Sequence, residues 1–133
     1  MTSMSKRMRG FTLVEMMVVL TIILILVSIA MPIYSQSVTR AREDNLRKNV
    51  STLNQMIAQY TLDKKKAPTS LQDLHQAGYI ESVPDDITGR PDTWETEEDQ
   101  DSIMSLEQKE GGIISVKSGS SAMALDGTAY SSW

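Results

Sequence analysis

Residues 16–34 run for nineteen positions without a formally charged side chain. At ~1.5 Å rise per residue, a helix over that run reaches about 28 Å, close to the thickness of a bilayer's hydrocarbon core. Such a helix satisfies its own backbone and is at ease only where its apolar surface leaves water, in lipid or inside an assembly. Glu15 stands at the edge of the run and is the one acid between residues 11 and 39. A carboxylate at the boundary of an apolar medium is costly unless it finds a partner.

Three readings compete for this segment. A secretory signal peptide accounts for a basic start, an apolar stretch and the small residues Ser28-Ile29-Ala30, but Pro32 follows too soon and Glu15 interrupts the apolar stretch. A plain single-span anchor accounts for the hydrophobicity and leaves Glu15 unexplained. The third reading gives Glu15 a partner. Lys6, Arg7 and Arg9 ahead of the run favour a cytoplasmic N-terminus, a signal weakened by Arg40, Arg42, Arg47 and Lys48 beyond it.

The stretch Lys6-Arg-Met-Arg-Gly10-Phe11-Thr-Leu-Val-Glu15 and the apolar run after it resemble the class III leader and N-terminal helix of type IV pilins and type II secretion pseudopilins. The resemblance implies a 1–10 leader removed by a prepilin peptidase between Gly10 and Phe11, followed by methylation of the new Phe11 amine. It implies that Glu15 supports methylation and pairs with the terminal amine of a neighbouring subunit, which would offset the desolvation of its carboxylate in a filament core. It also implies a role in assembly for Pro32, at a position where these subunits commonly carry a proline that helps the helix melt in the filament.

Beyond the run the period stays helical. Val38, Ala41, Leu46, Val50, Leu53, Ile57 and Tyr60 recur at steps near three and four, which predicts one helix from near Phe11 to about Asp63. At ~1.5 Å per residue that is a stem of about 80 Å. Lys64-Lys65-Lys66-Ala67-Pro68 ends it, since residues before proline avoid the helical region and three like charges repel. The expected organisation is a 1–10 leader, an 11–64 stem helix whose 11–34 part is transmembrane, and a 65–133 globular head that covers the apolar stripe.

In the head, Thr69-Ser70-Leu71-Gln72 has capping-box spacing, and Leu71, Leu74 and Ala77 predict a short helix ended by Gly78. Residues 86–91 are dense in turn formers. The order Gly78-Tyr79-Ile80, then Val83-Pro84-Asp85, is similar to that of the major, G-type pseudopilins. Ile103, Met104 and Leu106, a turn at Lys109-Glu110-Gly111-Gly112, and Ile113-Ile114-Ser115-Val116 predict a β-hairpin. Ala122-Met123-Ala124-Leu125 offers a third short strand before the Asp126-Gly127 turn, and Tyr130 and Trp133 are expected to bury against the sheet. The fold class is therefore α+β and pilin-like: a long N-terminal helix, its first half membrane-embedded, packed on a small antiparallel sheet.

Charge is segregated along the chain. Residues 81–110 hold eleven acids against Arg90 and Lys109, which argues against a nucleic-acid partner, whereas residues 40–66 hold seven basic side chains against three acidic. Solvated surface explains this, as does attraction between the head of one copy and the stem of another. With no cysteine there is neither a disulfide framework nor a thiolate metal site. No nucleophile with a base, paired carboxylates or metal spacing stands out, and His75 has no acid or serine beside it in the sequence, so no catalytic residue is assigned. Glu95 to Asp101 offer hard oxygen ligands without EF-hand spacing and read as a solvated acidic loop. Resemblance to G-type pseudopilins implies calcium in a C-terminal loop rich in glycine and aspartate. Residues 118–133 keep only Asp126 among acids, so calcium is admitted without any ligand being assigned and no other cofactor is expected.

The expectation is a structural subunit and not an enzyme: a single-pass protein of a bacterial inner membrane, N-terminus cytoplasmic and head periplasmic, which self-associates into a periplasmic or extracellular filament. The partners implied by the resemblance are the prepilin peptidase, an inner-membrane assembly platform, minor pseudopilins, and membrane lipid before assembly. A type II secretion pseudopilus is the first reading and a type IV pilus the alternative. A membrane-tethered module whose acidic head recruits a basic partner is a reading of a different class.

Overall fold

The computed structural model describes residues 10–99 and 111–133. In order along the chain they form helix α1 (Leu13–Lys64), helix α2 (Leu71–Gln76), strand β1 (Trp94–Asp99), strand β2 (Gly112–Ser118) and a 3-10 turn, Tyr130–Ser132. Contacts divide the chain into two compact units, the first ending at Val38 and the second comprising Thr39–Trp133.

In the first unit α1 is helical through Pro32. Pro32 lacks the N–H that would meet the Ser28 carbonyl. Hydroxyls along the segment hydrogen-bond back to their own helix: Thr21 to the Met17 carbonyl, Ser28 to Ile25, Ser35 to Pro32 and Ser37 to Ile33, at 2.8 to 3.0 Å. Each polar side chain so bonded presents little to an apolar medium.

The second unit is organised by the later turns of α1. Leu46, Leu53, Ile57 and Tyr60 are buried against Leu74, Trp94, Ile113, Val116, Ala124 and Tyr130, and Val50 packs at the margin. At about 1.5–3 kcal/mol for each large side chain removed from water, this seam dominates the unit's stability. Val38 is only half-buried and Ala41 is exposed, so the expected stripe is displaced at its beginning. The buried line runs instead through Glu43, then Leu46, Val50, Leu53, Ile57 and Tyr60, in alternating steps of three and four.

The helix ends at Lys64 because Lys65 turns left-handed, with φ 55°, before the buried Ala67-Pro68 pair. The capping box lies one residue later than its spacing suggested. Ser70 is the N-cap, and Asp73, not Gln72, reaches back to accept the Thr69 N–H at 2.8 Å, the Thr69 hydroxyl at 2.6 Å and the Ser70 N–H at 3.1 Å. Aspartate's short side chain fits this return, while Gln72 is exposed.

The sheet has two strands, β1 antiparallel to β2, with a bulge between Glu97 and Glu98. Two expectations are corrected here. Glu95 to Asp99 form a strand and not a solvated loop: Trp94 buries its ring and donates its indole N–H to the Pro84 carbonyl at 2.7 Å, anchoring a segment whose acids then point outward. Glu95 pairs with Lys117 at 3.9 Å, and Glu97 accepts the Ser115 hydroxyl at 2.9 Å. Ala122 to Leu125 do not form a third strand. A single bridge, Met123 to Ala129, closes a tight turn in which the Thr128 carbonyl accepts the Ala124 N–H at 2.7 Å. The expected strand at Ile103, Met104 and Leu106, and its turn up to Glu110, lie outside the described residues. Tyr130 is buried and Trp133 half-buried.

Gly112 and Gly119 mark close approaches of backbone. A Cβ at Gly112 would overlap the Ala67 side chain, and one at Gly119 would overlap the Thr93 carbonyl oxygen. The start of β2 thus hangs directly on the segment after α1, with the Ile113 N–H on the Pro68 carbonyl at 2.8 Å.

Candidate assembly surface

Thr12 and Glu15 cap the first turn of α1 reciprocally. The Glu15 N–H donates to the Thr12 hydroxyl at 3.1 Å, and the Thr12 N–H donates to the Glu15 carboxylate at 3.3 Å. The Thr-x-x-Glu spacing of residues 12–15 is the sequence signal of this capping box, a local role for Glu15 beside the boundary and pairing roles expected of it. The carboxylate is solvent-exposed and its bond to Thr12 is long, so it is held near the helix start without being enclosed.

Around it the surface is apolar. Phe11 is 78% exposed, and Leu13, Val14 and Met17 through Tyr34 present large side chains outward on every side of the helix. None of the most apolar eighteen-residue window is buried within the chain, and its mean hydropathy is 2.8, so this helix is long and apolar enough to cross a membrane. Gly10, Phe11 and Glu15 fall within two turns of one another at its start, and Pro32 lies well along it, also exposed. Isolated in water such a surface is unstable; it calls for lipid or for other helices of the same kind.

Among the described residues the second unit holds two buried carboxylates, Glu43 and Asp86, which no sequence signal marks as buried. Glu43, 7% exposed, accepts the Leu125 N–H and the Tyr130 hydroxyl, each at 2.9 Å. Burial raises the Tyr130 pKa, and the Glu43 carboxylate raises it further. Asp86, 4% exposed, accepts four donors: the Ile87 N–H at 2.7 Å, the Ser118 hydroxyl at 2.6 Å, the Thr93 hydroxyl at 2.9 Å and the Gly119 N–H at 3.1 Å. It thereby ties the 86–93 loop to the end of β2.

An open depression of about 340 Å³ lies between α1 and this loop, lined by Arg42, Asn45, Leu46, Asp85, Asp86 and Ile87 among others. His75 is exposed, its Nδ1 3.4 Å from the Ile80 carbonyl. Among the described residues no group of three or more histidine, aspartate or glutamate side chains is placed to hold a metal ion.

Residues 5–31 match the family model described as the prokaryotic N-terminal methylation motif, a span that includes Gly10, Phe11 and Glu15 and stops one residue short of Pro32. The chain is 39% identical over 72 residues to the competence protein ComGC of Halalkalibacterium halodurans, covering 54% of this chain and 71% of that protein. It is 30% identical over 102 residues to the type II secretion system core protein G of Dickeya chrysanthemi, covering 65% of this chain and 67% of the relative. The core protein G of Aeromonas hydrophila is 29% identical over 102 residues, with 65% and 71% covered. No solved structure matches the chain significantly.

Proposed function

Since the chain belongs to the type IV pilin-like pseudopilins of type II secretion, most like core protein G, we propose that it works as a filament subunit matured at Gly10/Phe11 and polymerised through α1. The observation that carries this reading is the pairing of the wholly exposed apolar first half of α1 with a single, lightly held carboxylate at its start. The apolar surface favours burial among copies of itself. Glu15 then needs a cation, and the amine released at Phe11 by cleavage after Gly10 is the nearest in sequence and chemistry. Methylation of that amine leaves its charge in place, so the pair survives the modification.

Before assembly α1 holds the subunit in the inner membrane as a single span, with Lys6, Arg7 and Arg9 on the cytoplasmic side and the head in the periplasm. The prepilin peptidase, the inner-membrane assembly platform and minor pseudopilins are its partners in this reading, and nucleic acid is not. Pro32, lacking an N–H, gives the helix a place to open when neighbours pack against it. The protein acts by assembly and not by turnover, helping to export folded proteins. The core protein G relatives align with more of this chain than the competence protein does, which favours secretion as the system served.

Intact mass and N-terminal sequencing of the protein recovered from membranes test this reading. A chain beginning with a methylated Phe11 is expected. One beginning at Met1 makes it a plain anchor, and one beginning at Met31 makes it a secreted domain.

A further inference from the structure

Resemblance to G-type pseudopilins implies a calcium ion in the loop 118–133, and the donors in that loop do not fit one. Calcium is held by six to eight oxygen ligands, several of them carboxylate. Asp126, the one acid of the loop, has both oxygens engaged: Oδ1 accepts the Thr128 N–H at 2.9 Å and the Thr128 hydroxyl at 2.6 Å, and Oδ2 lies 3.5 Å from the Arg47 guanidinium. The Thr128 hydroxyl, then its N–H, and the charge of Arg47 hold the Asp126 pKa below the ordinary carboxylate value despite some desolvation. A divalent cation beside Asp126 would meet the like charge of Arg47.

The loop is closed by other means. Arg47 also lies over the Trp133 ring, 4.1 Å from its centroid, and that ring meets Tyr130 edge-on at 5.2 Å. The Trp133 indole N–H donates to the Thr128 hydroxyl at 2.8 Å. One helical turn before Arg47, buried Glu43 takes the Leu125 N–H and the Tyr130 hydroxyl. An anion and a cation from the same flank of α1 therefore grip the loop at Leu125, Asp126, Tyr130 and Trp133. We propose that Glu43 and Arg47 close the 118–133 loop in place of a bound divalent cation, so that the fold of the head does not depend on calcium. This goes beyond the assembly reading and stands whether or not the chain polymerises.

The test uses the full chain in detergent, with the combined fluorescence of Trp94 and Trp133 following thermal unfolding and chymotrypsin probing the loop, in EGTA and in about 1 mM calcium chloride, the top of the range over which extracellular calcium modules load. The wild-type midpoint and loop cleavage are expected to be the same in both. A rise of the midpoint in calcium, which mass action requires of any ion bound to the native state alone, overturns the proposal. Arg47→Ala, at a half-exposed side chain that leaves no cavity, is expected to raise cleavage after Leu125 or Tyr130 about tenfold in both solutions, as local opening becomes more frequent. Glu43→Gln is expected to act in the same direction. Should the Glu43 variant fail to fold, Arg47→Ala still decides: unchanged cleavage, or protection restored by calcium chloride, refutes the clamp.

Discussion

Asn54 on α1 and Val116 in β2 exchange two hydrogen bonds: the Asn54 Oδ1 accepts the Val116 N–H at 2.8 Å, and the Asn54 Nδ2 donates to the Val116 carbonyl at 3.2 Å. A side-chain amide here does for β2 what a third strand would do, satisfying a backbone donor and acceptor that face the helix. Asn54→Ala leaves both buried groups without a partner and is expected to cost about 2 kcal/mol. Asn54→Asp keeps the acceptor, loses the donor and is expected to cost at least as much. Urea unfolding midpoints at unchanged m-value check both variants.

Assembly through Glu15 makes a sharp demand on one variant. Glu15→Ala leaves the apolar run intact, so the protein is expected to remain in the membrane while its incorporation into filaments is lost. Membrane fractionation and filament shearing from cells carrying the variant measure the two outcomes separately. Normal filaments from Glu15→Ala would refute the pairing, and a tethered binding module would scarcely notice the change.

Asp86, almost fully buried, accepts two backbone N–H groups and two hydroxyls. Its replacement by alanine takes that acceptor from the Ile87 and Gly119 N–H groups and the Ser118 hydroxyl, while the Thr93 hydroxyl keeps the Thr88 hydroxyl and the Arg90 carbonyl in reach, and is expected to cost about 3 kcal/mol, against roughly 1 kcal/mol for Ser118→Ala, which removes one donor and leaves three. Gly119→Ala beside it sets a Cβ against the Thr93 carbonyl oxygen, a backbone atom with little room to yield, and is expected to destabilise by about 1–3 kcal/mol. Thermal or urea unfolding ranks the three.

Acid should loosen the start of α2. Burial alone would raise the Asp73 pKa, but hydrogen bonds from the Thr69 hydroxyl and from the Thr69 and Ser70 N–H groups outweigh it and hold the pKa below its ordinary value. The stability this supplies is full above the unfolded carboxylate value of about 3.9 and is lost as pH falls through the lower, folded value. Asp73→Asn is expected to flatten that part of the acid limb. Urea midpoints of the two proteins between about pH 5 and about pH 2 make the comparison.

The apolar run, Glu15 and the helical period after it were plain in the sequence because each repeats or stands alone against a uniform background. The C-terminal end of α1 followed from Pro68 and the lysines before it, and the short α2 from its capping residues and Gly78, although its cap sits one residue later than the spacing suggested. What escaped was polar and buried. Glu43 occupies a core position on the heptad-like line 43, 46, 50, 53, 57, 60, but a charged residue reads as outward, and its partners Leu125 and Tyr130 are 82 and 87 positions away. Asp86 looked like turn chemistry, which it also is, and nothing local announces Ser118 as its partner. β1 was hidden by its acids: in Trp94-Glu-Thr-Glu-Glu-Asp99 one tryptophan supplies the anchor, and pairing with β2 supplies the rest. Long-range pairing of this sort leaves no periodic trace.

The mixed character of the α1 seam has a mechanical consequence. Apolar contacts are tolerant of sliding, since a shift by one helical turn swaps one leucine for another at little cost. Glu43, Arg47 and Asn54 are not interchangeable in this way: a one-turn slip would leave the Leu125 and Val116 amides without acceptors and take Trp133 from under its guanidinium. They act as keys in a shaft, fixing the axial index of the head on the stem. Any load along the helix would fall on these three polar contacts as shear, while the leucines between them carry the weight of cohesion.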